Sequence, residues 1–110
     1  MTDVRLSPAD LGVPLGERAT VVQFSSTFCA PCRSTRYVVE RAVATTDGVA
    51  YADLDVADHL ALGERLGIDV TPTVLVLDAV GQVVRRATGV PRLAQLRSAL
   101  DAASSAVPST

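Results

Sequence analysis

The chain has 110 residues, a formal charge of −2 and a hydrophobic share of 48%, which allow one domain with a real core and argue against two. Aromatics are only 4%, so that core must be aliphatic. The small charge gives no electrostatic case for nucleic acid or an anionic membrane, and no apolar run approaches the roughly 18 residues of a membrane helix.

The N-terminus has no long apolar run after a basic start, so a secretory signal is not expected. Val4–Leu6 is a candidate short strand. The stretch SPADLGVPLGER, Ser7–Arg18, holds two prolines and two glycines and predicts loop with at most one helical turn. Ala19–Ser26 is a short apolar run ending in polar residues, a buried strand. From Cys32 onward, Val38, Val39, Ala42 and Val43 recur at helical spacing. Arg33, Arg36, Glu40 and Arg41 suit the solvated face of that helix, and Gly48 is expected near its C-terminal cap. Val49–Val56 is the next strand. Asp58–Gly67 predicts a short helix with Asp58 as N-cap and Gly67 as terminator. Gly63 inside it weakens the helix by roughly 1 kcal/mol relative to alanine.

Thr73–Leu77 and Gln82–Ala87 predict an antiparallel hairpin with Gly81 in its turn. Pro91, a favoured first helical residue, opens a last helix whose apolar face is Leu93, Leu96, Ala99 and Leu100. The order is βαβαββα. Strands joined by helices pair in parallel and the hairpin adds antiparallel pairing, so a central mixed β-sheet of α/β class with helices on both faces is expected. Residues 1–103 form the single domain, and 104–110 are expected to be a disordered tail.

Both cysteines of the chain, Cys29 and Cys32, lie three apart around Pro31 at a strand–helix junction. A helix N-terminus presents unpaired N–H groups and the positive end of the helix dipole, which favour thiolate over thiol. A free cysteine has a pKa near ~8.5, and such sites lower it. Pro31 suits a first helical turn, and positions i and i+3 share one side, so the two sulfurs can meet. No acidic residue occurs between Glu17 and Glu40, whereas Arg18, Arg33 and Arg36 do. Those arginines either stabilise a thiolate or simply solvate a helix face. All ten basic residues are arginine, which excludes lysine chemistry. Two cysteines are no disulfide scaffold, and a reducing cytoplasm is the default compartment.

The segment FCAPC, the VTPT stretch about forty residues downstream, Gly81 in a turn and Gly89 before the last helix together resemble the thioredoxin family. The resemblance covers roughly Ala19 to Ala103. It implies a thioredoxin-like fold and thiol–disulfide exchange with proteins that carry disulfides. By position, Cys29 is similar to the family's attacking cysteine and Cys32 to its resolving one. Pro72 is similar to its cis-proline, which exposes the Thr71 backbone to an extended substrate. Phe28, Ala30, Pro31, Val70, Thr71, Pro72, Gly89 and Val90 would then form an uncharged docking rim. The resemblance implies no cofactor, no metal and a separate electron donor such as a thioredoxin reductase. A monomer is expected.

Several positions depart from the family. Its buried aspartate, six residues before the first cysteine, is Gln23, which cannot take up a proton near neutral pH. Its lysine on the next strand is Tyr51. Loss of both looks coordinated, since burying one charge without its partner is costly. Phe28 and Ser25 stand where tryptophans are usual, and Tyr37 where a helix-kinking proline is. Asp53 is a minor candidate for a surrogate base, because parallel strands deliver their C-terminal ends to one edge. Asp53, Gln23, Tyr51, Arg33 and Arg36 are therefore the expected tuning residues. Two other readings stand beside a disulfide reductase: a redox-sensing or client-specific binding module, and metal or cluster binding by cysteine pairs in a dimer. His59 is expected at the surface or at a cap, and Asp53, Asp55 and Asp58 read as a strand end followed by a cap.

Overall fold

The computed structural model describes residues 4–105. Strand β1 (Ala19–Ser25) leads into helix α2 (Ala30–Ala44), strand β2 (Val49–Asp55), helix α3 (Leu60–Leu66), strands β3 (Thr73–Asp78) and β4 (Val83–Thr88), and helix α4 (Leu93–Ser105). A single turn, α1 (Pro8–Leu11), precedes them. Ser7 and Asp10 close a capping box on it: the Asp10 N–H donates to the Ser7 hydroxyl and the Ser7 N–H to the Asp10 carboxylate.

The sheet order is β2-β1-β3-β4. β1 and β2 run parallel, while β1–β3 and β3–β4 are antiparallel. All seven β1 residues are buried, as a central strand covered on both faces requires. Alternation along the strands splits the core into two layers. Val22 and Phe24 of β1 pack with Leu11, Leu62 and Leu66 from α1 and α3. Ala19 and Val21 pack with Val39 and Ala42 of α2 and Leu96 and Leu100 of α4. Each fully buried aliphatic or phenyl side chain contributes about 1.5–3 kcal/mol, so these layers set the distance between α2 and the sheet. Gln23 and Ser25 continue the Ala19–Val21 row towards the end of β1. They face α2, in register with Asp53 and Asp55 of β2.

Several boundaries differ from the sequence expectation. α2 starts at Ala30 instead of Cys32, because the Cys29 sulfur caps it and Pro31 fits its first turn. Its C-cap is Thr45, and Gly48 lies beyond it in the turn into β2, accepting the Arg18 N–H at 2.8 Å. α3 starts at Leu60 with His59 at the cap position and no side-chain cap bond. Asp58 falls inside a 3-10 turn, Val56–Asp58, that Asp55 caps by accepting the Ala57 N–H at 2.9 Å. Gly67 terminates α3 in the left-handed conformation, as expected. Pro91 precedes α4 by two residues, since Gln95 reaches back to the Arg92 N–H and fixes the start after it. α4 continues through Ser104 and Ser105, two residues into the expected tail; residues 106–110 lie outside the described residues. Val4–Leu6 forms a bridge, Arg5 to Gln82, and not a full strand.

Candidate active site

Cys29 sits at the boundary between extended chain and helix, with φ −107° and ψ 97°. Its sulfur accepts the Cys32 backbone N–H at 3.1 Å, the interaction by which a side-chain cap satisfies an orphan donor. Cys29 and Cys32 are joined as a disulfide, with Cα atoms 5.1 Å apart. The two are unequal in access. Cys29 is partly exposed, whereas Cys32 is 1% exposed.

Phe28, just before them, has φ 58° and is fully exposed. It is the only non-glycine residue with positive φ among those described. Left-handed backbone costs an L-residue about 1–2 kcal/mol, and the exposed ring recovers no packing here. The Thr71–Pro72 peptide is cis. Pro72 is buried, and its carbonyl accepts the Gly89 N–H at 2.9 Å. The Thr71 hydroxyl lies 3.9 Å from the Cys29 sulfur and 2.7 Å from the Ser26 hydroxyl. Thr73 pairs with Phe24 on one side and Thr88 on the other. Val70–Pro72 and Gly89–Val90 thus join the cysteines at one end of the sheet. Ala30, Pro31, Val70 and Val90 are exposed there, and Thr71 and Gly89 are half-buried.

Behind Cys32 lies a polar cluster that runs from buried Gln23 and Ser25 out to the surface at Asp53 and Arg36. Gln23 is fully buried. Its amide nitrogen donates to the Cys32 carbonyl and to the Ser25 hydroxyl, each at 2.9 Å, and its oxygen accepts the Tyr51 hydroxyl at 2.6 Å. Burial, and then the nearby Asp53 carboxylate, push the Tyr51 phenol well above its usual pKa, so it stays a donor. The Ser25 hydroxyl donates to Asp53 at 2.6 Å, and the second Asp53 oxygen takes the Arg36 Nε–H at 2.7 Å. That hydrogen bond is the main cause holding the Arg36 guanidinium above its usual pKa. No buried side-chain nitrogen or oxygen lacks a partner among the described residues.

The expected tuning residues therefore separate. Gln23, Tyr51, Asp53 and Arg36 meet; Arg33 is exposed and stands outside the cluster. Both oxygens of Asp53 are engaged by Ser25 and Arg36, so its contacts run to those side chains and not to either sulfur. The Arg36 charge is likewise committed to Asp53. Ser26 was legible in sequence only as a polar residue ending a strand, and Ser25 as that and as a departure from the family's tryptophan, with no partner indicated for either. Period-two alternation puts positions 23 and 25 on one face of β1, and 51 and 53 on one face of β2. That signal could have found Ser25. His59 lies at the α3 cap, its Nδ1 3.0 Å from the Asp55 carbonyl oxygen. Among the described residues there is no group of three or more His, Cys, Asp or Glu placed to hold a metal, and no helix long and apolar enough to cross a membrane.

Comparison with known proteins agrees with this geometry. The thioredoxin family model matches residues 12–102. A mutant thioredoxin from Halobacterium salinarum NRC-1 superposes with a TM-score of 0.73 at 25% identity, over 84% of this chain and 80% of that one. Thioredoxin f from spinach chloroplast gives 0.69 at 28% identity, over 80% and 78%. Chloroplastic thioredoxin z shares the fold over 96% of this chain and 97% of its own, with a TM-score of 0.75 at 22% identity. No curated protein matches the chain. With the family model covering most of its length, and the Cys29–Cys32 pair at the N-terminus of α2, the chain belongs to the thioredoxin family.

Proposed function

We propose that this protein reduces disulfides in other proteins through a Cys29/Cys32 dithiol–disulfide cycle. The observation that carries the reading is the unequal pair: an exposed sulfur capping a helix, joined to a buried one. In the dithiol form, the Cys32 N–H and the α2 dipole favour a Cys29 thiolate. That thiolate attacks one sulfur of a substrate disulfide, forms a mixed disulfide and expels the first substrate thiolate. Cys32 then loses its proton and attacks the Cys29 sulfur, expelling the second substrate thiolate. The substrate gains two electrons and two protons, and the protein is left with the Cys29–Cys32 disulfide. A separate two-electron donor, such as a thioredoxin reductase, restores the dithiol, and a reducing compartment such as the cytoplasm suits the cycle.

The exposed rim of Phe28, Ala30, Pro31, Val70 and Val90 offers an uncharged surface to an extended substrate. The Thr71 backbone, freed by Pro72, offers it strand-like pairing. Gln23 favours a client-specific variant of this function. Among the described residues no carboxylate contacts Cys32 to take its proton, so resolution depends on the ionisation of Cys32 itself, and the mixed disulfide lives longer.

Reduction of insulin in the presence of a small dithiol tests the general activity. Turbidity rising well ahead of the dithiol-only control is expected, and a rise no faster than the control would refute it. The Cys32→Ser variant tests client choice. One dominant trapped protein would favour the specialised form, and a broad set of partners would favour the general one.

A further inference from the structure

We propose that Asp53 is a positioning residue for the resolving cysteine, acting through a closed hydrogen-bonded circuit around Cys32. The inference rests on the exchange reading above. The circuit begins at the Cys32 carbonyl, which accepts from the Gln23 amide nitrogen at 2.9 Å. The same nitrogen donates to Ser25 at 2.9 Å, and Ser25 donates to Asp53 at 2.6 Å. The other Asp53 oxygen accepts from Arg36 at 2.7 Å. Arg36 lies four residues after Cys32 on α2, so one turn of helix closes the ring.

Every direction in the ring is determined by its chemistry. A carboxylate only accepts, so Ser25 must donate to it. The Ser25 oxygen then turns a lone pair towards Gln23, which must present its nitrogen. Gln23 thereby faces Cys32 as a donor and Tyr51 as an acceptor, and the Tyr51 hydroxyl completes the set. The amide nitrogen is thus held by the Cys32 carbonyl and, through Ser25, by Asp53, while Tyr51 holds the amide oxygen.

The start of α2 is held to the sheet at two points, Cys32 and Arg36, and both ties converge on Asp53. An exposed Arg36–Asp53 pair alone would contribute little to stability. Its value here is geometric. Cys32 must reach the Cys29 sulfur while substrate is attached to it, and displacements of about 1 Å are enough to slow such a step severely. Cys29 attacks from the exposed cap position and makes no contact with the ring beyond the turn it shares with Cys32. The circuit therefore serves the second chemical step and not the first.

Rapid-quench single turnovers with a disulfide-bonded peptide separate the two steps. Asp53→Ala and Ser25→Ala each break two hydrogen bonds of the ring and are each expected to slow resolution of the mixed disulfide about tenfold. Attack by Cys29 should stay within about twofold of wild type. The double variant should be no slower than either single one, because the residues act as a unit. Asp53→Asn keeps an oxygen for Ser25 and should retain most of the resolution rate. Unchanged resolution in the alanine variants, equal slowing of both steps, or additive losses in the double variant would overturn the proposal. Wild-type protein that never forms a mixed disulfide would instead overturn the exchange reading, and this inference with it.

Discussion

Phe28 has an unfavourable backbone and an unburied side chain at the same position. Glycine would remove the left-handed penalty of about 1–2 kcal/mol, against roughly 0.5–1 kcal/mol of extra unfolded-chain entropy. Phe28→Gly is therefore expected to leave stability unchanged or raise it by up to ~1.5 kcal/mol, while weakening capture of protein disulfides through loss of the exposed ring. Urea denaturation and the KM for a protein substrate measure the two effects. A stability loss above about 1 kcal/mol would show that the ring makes contacts in solution that strengthen the fold. At this scale the sequence was most legible where a residue type carries its own chemistry: two thiols around a proline, and a Thr-Pro pair downstream. It was least legible for hydroxyl partners. Ser25 meets Asp53, and Ser26 meets Thr71, only because strand register and loop placement bring them together across long stretches of chain.

Elements were legible by period and less so by boundary, for physical reasons that can be named. Asp58 has a good capping side chain, but Asp55 takes the first exposed N–H, and the chain spends a 3-10 turn before α3 begins. Pro91 suits a helix start, but it is buried and Gln95 sets the start after it. The end of α3 shows a device that no local pattern predicts. The Arg86 guanidinium, from β4, donates one N–H to the Leu66 carbonyl and another to the Gly67 carbonyl, the latter at 2.7 Å. A planar fork is needed to reach both at once. Arg86→Lys should lose about 1 kcal/mol of local stability, seen as roughly fivefold faster amide exchange across α3. Exchange unchanged in α3 would mean that Gly67 alone terminates the helix.

For the whole molecule, βαβαββα order and layered apolar strands were enough to read the sheet and its covering helices, because both follow from periodicity and connection rules. Oxidation state acts on this scale as well, because the Cys29–Cys32 bond constrains the unfolded chain everywhere it is sampled. The closed loop is short, so the effect is modest: about 2 kcal/mol in favour of the oxidised form. Urea denaturation with and without reductant should give unfolding free energies that differ by that amount. Coincident curves would show that reduced Cys32 finds compensating interactions.

The segment Val4–Leu6 lies along the hairpin. Its Val4 carbonyl accepts the Val83 N–H at 2.8 Å, and its Leu6 N–H donates to the Gly81 carbonyl at 2.8 Å. Gly81, at φ 90°, comes so close to the Leu6 carbonyl that a Cβ there would collide with it. The start of β4 is therefore occupied by the protein's own chain, and the rest of that edge carries Arg85 and Arg86. Exposed sheet edges recruit other chains. A fusion partner or truncation that lifts Val4–Leu6 away would uncover such an edge, and its first symptom would be self-association in concentrated solution, with the cysteine chemistry intact.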